Sequence, residues 1–166
     1  MMRLSKQRIV ALLTLAGAIL LGGPAGAGAP THLTRTMVVQ AKPDVVWAAI
    51  GPFCAIKDWH PAIGSCSLNG KTRTLVTKDG AATFVELQVG RNEAKRSYSY
   101  SFTSSPVPVT GYVSTMSVKA SGNDASIVTW TGSYTPNKGL DEAAMKALAG
   151  IYESGLASIR DHFAHD

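Results

Sequence analysis

The sequence lacks the short motifs by which several enzyme classes are recognised. It contains no Gly-x-Ser-x-Gly turn, no Gly-x-Gly-x-x-Gly dinucleotide motif, no Walker loop and no His-Glu-x-x-His zinc motif. Enzymes built on those motifs are therefore not indicated, and no cofactor is expected. Cyclase chemistry needs only a shaped cavity with one acid or base, so catalysis of that kind stays open.

Long apolar runs are also lacking, except for one near the start of the chain. The run Ile9–Leu21 follows three basic residues and precedes a stretch of Gly, Ala and Pro, and it is shorter than the roughly 18 residues of a spanning helix. This pattern predicts a secretory signal peptide over residues 1–27, cleaved after Ala27; the alternative is an uncleaved anchor. Residues 28–166 then form a single domain that is periplasmic or secreted, with no stable membrane insertion.

Positive charge is less abundant than the whole chain suggests. The sequence has 16 Lys and Arg against 11 Asp and Glu, but three basic residues belong to the predicted signal peptide, which leaves 13 against 11. The remainder has no basic run or stripe with interleaved aromatic residues. Nucleic-acid binding is therefore not indicated.

Cysteine occurs only twice, at Cys54 and Cys66. No Cys-x-x-Cys motif is present, so a redox site of that type is excluded. Export to an oxidising compartment predicts that the two cysteines form a disulfide, with two buried free thiols as the alternative.

The chain is organised around residues 45–61, which read as two short helices broken at Gly51-Pro52, because proline cannot continue a helix. A strand pattern at 32–40 precedes them, and a helical pattern runs from Leu140 onward. Six further strand patterns lie at 64–69, 71–78, 82–89, 95–103, 110–120 and 125–135.

Alternation along the later strands predicts which side chains face inward. The inner positions are Tyr98, Tyr100 and Phe102; Tyr112, Ser114, Met116 and Val118; and Val128, Trp130, Gly132 and Tyr134. The helix presents Ala144, Leu148, Ile151, Gly155, Ile159 and Phe163 on one face. Its two glycines, Gly150 and Gly155, are expected to serve close packing or a bend. A curved sheet that grips a long helix leaves a gap between them, where a ligand can lie.

This order of elements, together with several short motifs, resembles the SRPBCC (START-like) superfamily. Within it, the chain is similar to the polyketide cyclase/dehydrase-like branch that includes exported accessory proteins of methanol oxidation. The motifs include Trp59-His60-Pro61, Thr72-Arg73-Thr74-Leu75, Tyr98-Ser99-Tyr100, Pro106-Val107-Pro108-Val109 and the segment 150–156. The resemblance implies an α+β helix-grip fold with about seven strands, a cavity under the long helix, and small hydrophobic ligands.

The plant abscisic-acid receptors of this superfamily resemble the chain in their pocket-facing strands. The positions that match their pocket are Glu86, Tyr100, Tyr112 and Ser114. Gly64 stands where those receptors carry a ligand-pairing lysine, and their gating loop is shortened here. Hormone-type gating is therefore not implied.

The candidate ligand-binding residues are mostly aromatic, and each also has a purely structural reading. They are Trp59, Glu86, Tyr98, Tyr100, Tyr112, Ser114, Trp130 and Tyr152. Glu86 lies out of phase with Val85 and Leu87, so it is either a solvent-facing carboxylate or a pocket acid. His60 is more simply a capping or surface histidine than a residue at the cavity mouth. Both remain weak catalytic candidates. His162 and His165 lack a third ligand, so no metal site is expected.

Three functions follow as hypotheses. The first is an exported, non-enzymatic protein that binds a small hydrophobic molecule in its cavity. The second is an accessory protein that docks a periplasmic dehydrogenase or cytochrome through an exposed apolar patch around 106–109. The third is a polyketide cyclase or dehydratase-like enzyme that uses Glu86 or His60.

Overall fold

An antiparallel sheet of seven strands curves around one long helix in the computed structural model, which describes residues 29–164. The predicted signal peptide and His165 lie outside the described residues. The elements are β1 (Thr31–Val39), α1 (Pro43–Ile50), α2 (Ile56–Trp59), β2 (Ile63–Asn69), β3 (Thr72–Thr77), β4 (Thr83–Asn92), β5 (Ser97–Ser104), β6 (Val109–Ser121), β7 (Ala125–Pro136) and α3 (Asp141–His162). The sheet order is β1-β7-β6-β5-β4-β3-β2. The predicted helix-grip fold is confirmed.

The bend between α1 and α2 is held to the sheet by two arginines. The α1 helix ends at Ile50 with Gly51 as its C-cap, and Pro52 prevents it from continuing. Arg91 donates to the Gly51 carbonyl at 2.7 Å, and Arg73 donates to the Phe53 carbonyl. The two guanidinium groups thus satisfy backbone carbonyls that lack a partner where the helix is broken.

A disulfide joins the same bend to the neighbouring strand. Cys54 follows Phe53 and is bonded to Cys66 of β2, with their Cα atoms 5.6 Å apart. The predicted pairing is therefore confirmed. A disulfide of this kind indicates that the protein folds in an oxidising compartment.

The inner face of β4 differs from the expectation based on its apolar residues. Phe84 and Glu86 face inward, whereas Leu87 and Val89 are exposed on the outer face of the sheet. The reason is the register, which sets Glu86 directly opposite Arg73 of β3, so the two charges are buried as a pair. The solvent-facing alternative for Glu86 is therefore wrong.

The inner faces predicted for β5, β6 and β7 are buried, apart from Phe102, which is half-buried. On α3, Tyr152 and Leu156 join the predicted core positions, and Ile151 is only half-buried. Within residues 29–164, no helix combines the length and apolarity that a membrane crossing requires.

Of the apolar patch expected at 106–109, Pro106 is exposed and Pro108 is half-buried. Val107 is buried in the core, and Val109 is half-buried. Larger exposed apolar side chains lie on the outer face of the sheet, where Leu87 of β4 and Val113 of β6 pair with the same residue of β5, Ser101, and Val89 lies two residues along β4 from Leu87.

The two glycines of α3 are expected to respond oppositely to alanine. A Cβ on Gly155 would lie 2.8 Å from His60 Cδ2 and 2.9 Å from Trp130 Cζ3, whereas a Cβ on Gly150 meets nothing within 4 Å. Gly155→Ala should therefore destabilise the fold by about 1–2 kcal/mol after the gain in helix propensity. Gly150→Ala should stabilise it by about 1 kcal/mol. Urea unfolding of both variants measures the difference; equal stabilisation by both would show that Gly155 is not required for close packing.

Candidate ligand cavity

A cavity of about 90 Å³ lies between the sheet and α3. We call it the inner cavity. Its walls are mainly apolar and aromatic, with Leu75, Phe84, Phe102, Trp130 and Leu148 among them. It is smaller than the ~300–1,000 Å³ of typical ligand sites. The interior is therefore largely filled by side chains, and the space suits one small apolar group unless a wall moves.

The structure divides the predicted ligand-binding residues into three groups. Those that line the inner cavity are Glu86, Tyr100, Tyr112 and Trp130. Ser114 and Tyr152 lie behind this wall. Tyr98 and Trp59 lie away from it: Tyr98 packs on Trp47 and Phe53, and Trp59 packs edge-on against Trp130.

Polar groups behind the wall satisfy one another. The Trp130 indole N–H donates to Ser114 Oγ at 2.9 Å and to Tyr100 OH at 3.0 Å. Tyr152 OH lies 2.7 Å from Tyr112 OH and 3.1 Å from Ser114 Oγ. Burial raises the pKa of Tyr152 to about 12, so its hydroxyl stays protonated at neutral pH. This network already satisfies the hydroxyl groups, so they do not require a ligand.

A buried ion pair meets the inner cavity through Glu86. Arg73 Nε lies 2.5 Å from Glu86 Oε2, and the two residues are 0% and 4% exposed. The guanidinium stacks 3.9 Å from the Phe53 ring centroid and 5.0 Å from that of Tyr100. Burial raises the pKa of the Glu86 carboxyl, and the adjacent Arg73 charge opposes this rise. The hydrogen bond to Arg73 uses Glu86 Oε2, so Oε1 is available to accept another; within residues 29–164 the atom of this pair that is buried without a hydrogen-bond partner is Arg73 Nη2.

Arg73 was not among the predicted site residues. The strand pattern does indicate that Arg73 is buried, because Arg73 lies two residues from Leu75 and so faces inward on the same strand. It also lies opposite Glu86 once β3 and β4 pair. A charged residue in an inward position is normally buried only when it is paired. Two inward charges of opposite sign on adjacent strands therefore indicate a pair.

His60 is a buried residue at the cavity wall rather than a surface histidine. It caps α2, and its side chain is 3% exposed. Its Nδ1 accepts the Ala62 N–H at 3.2 Å, so Nε2 carries the proton and donates to the Ile151 carbonyl at 3.0 Å. Burial lowers the pKa of His60, and the charge of Arg73 lowers it further, against the opposing hydrogen bond to Ile151. The ring is therefore neutral, and both of its nitrogens are engaged.

Comparison with known proteins places this architecture in a family. The sequence model for polyketide cyclase/dehydrase and lipid transport proteins matches residues 30–164. The chain belongs to this family. No curated protein matches the sequence at a significant level.

Solved structures agree with the family assignment. XoxI from Bacillus cereus is 38% identical, with 80% of this chain and 95% of that chain covered and a TM-score of 0.77. Two structures at 15% identity share the fold, each with a TM-score of 0.64. They are the Zhui aromatase/cyclase from a Streptomyces species, with 81% and 94% covered, and a START superfamily protein from Mycobacterium smegmatis, with 81% and 97% covered. The predicted SRPBCC resemblance is confirmed.

In this member of the polyketide cyclase/dehydrase family, His60 should make stability depend on pH. Its folded-state pKa lies below the ordinary 6.5, so the unfolded chain takes up the proton first. The stability from neutral His60 is present above pH 6.5 and is lost as pH falls through the folded-state pKa. Urea unfolding between about pH 7.5 and about pH 5 measures this loss.

The matched variants are His60→Gln, which cannot take up the proton, and His162→Gln at the exposed end of α3. His60→Gln should flatten the pH profile, and His162→Gln should leave it unchanged. Equal slopes in all three proteins would show that His60 is not the titrating group.

Proposed function

We propose that this protein binds one small, mainly apolar molecule in the inner cavity and is not an enzyme. The observation that carries the proposal is the mainly apolar and aromatic wall of the inner cavity, in which Glu86 is the acidic residue and bonds to Arg73 through Oε2, which leaves the oxygen Oε1 as an acceptor. Such a wall favours a ring or short chain, and the oxygen favours a ligand that donates one hydrogen bond. The disulfide and the predicted signal peptide support a periplasmic or secreted location.

Binding is favoured over catalysis because both acid–base candidates, Glu86 and His60, are hydrogen-bonded within the protein. Glu86 is paired with Arg73, and both ring nitrogens of His60 are hydrogen-bonded within the protein. A general base must reach the proton that it abstracts and must be basic enough to hold it. The adjacent Arg73 charge makes Glu86 less basic, and His60 cannot transfer a proton without giving up one of its two hydrogen bonds. A cyclase or dehydratase role for Glu86 or His60 therefore has less support.

The binding proposal is tested by amide NMR spectra of the isotope-labelled protein during titration with phenol and, separately, toluene. Both rings fit the same space, but only phenol donates a hydrogen bond. We expect both to shift amides at Leu75, Glu86 and Leu148, and phenol to bind more tightly. Because Glu86→Gln leaves the Arg73 charge buried without a carboxylate, the ratio of phenol affinity to toluene affinity is compared in this variant, and it should fall by about tenfold. Absence of shifts at these amides with either compound would overturn the proposal.

A second candidate is an accessory protein that docks a periplasmic dehydrogenase or cytochrome. Its support is the resemblance to exported accessory proteins of methanol oxidation, together with the exposed side chains of Leu87, Val89 and Val113 on the outer sheet face. Affinity purification from the native periplasm should recover one redox enzyme with the wild type and lose it with Leu87→Lys/Val113→Lys. Recovery of no redox protein by the wild type would contradict this role.

A further inference from the structure

Strands β5 and β6 separate before they reach the loop that connects them. Their last paired residues are Ser101 and Val113, although β5 remains paired with β4 as far as Ser104 and β6 remains paired with β7 from Val109. A register shift lies just before Val113, where Gly111 has a φ of +61°. Beyond Ser101, each strand is therefore held by its outer neighbour, and a gap opens between them.

The gap forms a groove of about 380 Å³, which we call the hydroxyl groove. Its polar side chains are Thr103, Ser104, Ser105 and Thr110, and no charged residue lines it. Thr103, Ser104 and Thr110 are exposed. Hydroxyl groups can both donate and accept hydrogen bonds. The lining thus matches uncharged groups that do the same, and it offers no counter-ion to a charged group.

One pair of rings separates the hydroxyl groove from the inner cavity. Phe102 and Tyr112 line both spaces, and their rings stack with centroids 3.8 Å apart and an angle of 14° between them. The Tyr112 hydroxyl lies 2.7 Å from that of Tyr152, which fixes its ring. Phe102 has no polar group to anchor it and is half-buried.

We infer that the hydroxyl groove is a binding subsite for an uncharged, hydroxyl-bearing group, and that Phe102 gates it from the inner cavity, which takes the apolar part of the same molecule. This inference rests on the proposed function, since the apolar part must bind in the inner cavity. It also explains how a larger ligand can bind although the inner cavity is small, because only the apolar end of that ligand lies in the inner cavity. The ligand class is an aromatic or short apolar group that carries a polyol or sugar.

Calorimetric titration with three probes tests this subsite. Phenyl β-D-glucoside carries a neutral sugar, phenyl phosphate carries a charged group on the same ring, and phenol carries neither. We expect the glucoside to bind about tenfold more tightly than phenol, because each of two new hydrogen bonds multiplies the affinity by about threefold. Phenyl phosphate should bind no more tightly than phenol. The double variant Thr103→Val/Thr110→Val should lower the affinity for the glucoside by about tenfold and leave the affinity for phenol unchanged.

The gate is tested by stopped-flow binding of the glucoside to Phe102→Ala and to the matched variant Phe84→Ala. Phe84 lines the inner cavity but not the hydroxyl groove, so its loss enlarges the cavity without opening the partition. Association should become at least about tenfold faster in Phe102→Ala only. Equal rates in the two variants would overturn the gate.

The outcomes separate this inference from the proposed function. If phenol binds but the glucoside binds no more tightly, the hydroxyl groove is not a subsite and the inner cavity remains a ligand site. If the valine substitutions leave glucoside binding unchanged, the inference is likewise overturned. If neither phenol nor the glucoside binds, both proposals fail.

Discussion

Replacing Arg73 by methionine is expected to lower the free energy of unfolding by about 3–5 kcal/mol. The substitution keeps much of the side-chain volume but leaves the Glu86 carboxyl buried without its partner. It also removes the donor to the Phe53 carbonyl and the guanidinium stacked on the Phe53 ring. Denaturant unfolding at neutral pH measures the loss.

Two control variants distinguish the buried pair from a general effect of losing an arginine. Arg91→Met removes the other arginine of the bend, whose ion pair with Glu93 is partly exposed, and should cost only about 1–2 kcal/mol. Arg73→Met/Glu86→Leu removes both charges and should recover most of the loss, because an apolar pair can replace a buried ion pair. If Arg73→Met were no more harmful than Arg91→Met, the ion pair would not stabilise the fold.

Removing the disulfide with Cys54→Ala/Cys66→Ala is expected to lower the free energy of unfolding by about 3 kcal/mol in the chain-entropy model. The bond closes a loop with a sequence separation of 12 residues and ties the α1–α2 bend to β2. Without it, the unfolded chain gains freedom, and the hydrogen bonds from Arg73 and Arg91 still join the bend to the sheet. Urea unfolding with and without a thiol reductant measures the change.

The reductant supplies the internal control for this prediction. It should destabilise the wild type to about the level of the alanine variant and should have no effect on that variant. A wild type that keeps its stability after full reduction, confirmed by thiol titration, would contradict a stabilising role for this bond.

Much of the fold follows from local patterns in the sequence. Gly51-Pro52 ends one helix, and regular alternation along β5, β6 and β7 identifies Tyr100, Tyr112 and Trp130 as inward residues. These signals are strong because bulky aromatic side chains alternate with Ser and Thr on strands whose one face is buried. The same alternation fails on β4, where apolar Leu87 and Val89 face outward.

The polar part of the site depends on contacts that no single segment encodes. Burial of Glu86 requires Arg73 on the neighbouring strand, and burial of His60 requires a notch at Gly155 of α3, about a hundred residues later in the chain. The size of the cavity cannot be predicted from strand patterns either, because it depends on how Phe84, Phe102 and Leu148 pack across the interior. Local periodicity predicts which face a side chain occupies, whereas these features depend on tertiary packing.

The central claim is that the inner cavity holds a small molecule in the native protein, and native mass spectrometry tests it most directly. The mature protein is purified from its own organism without denaturation, and a denatured sample of the same preparation is the control. We expect the native mass to exceed the polypeptide mass by that of one small molecule, which is lost on denaturation. The polypeptide mass itself should be two hydrogens light because of the disulfide. A native mass equal to that of the bare polypeptide would contradict the claim.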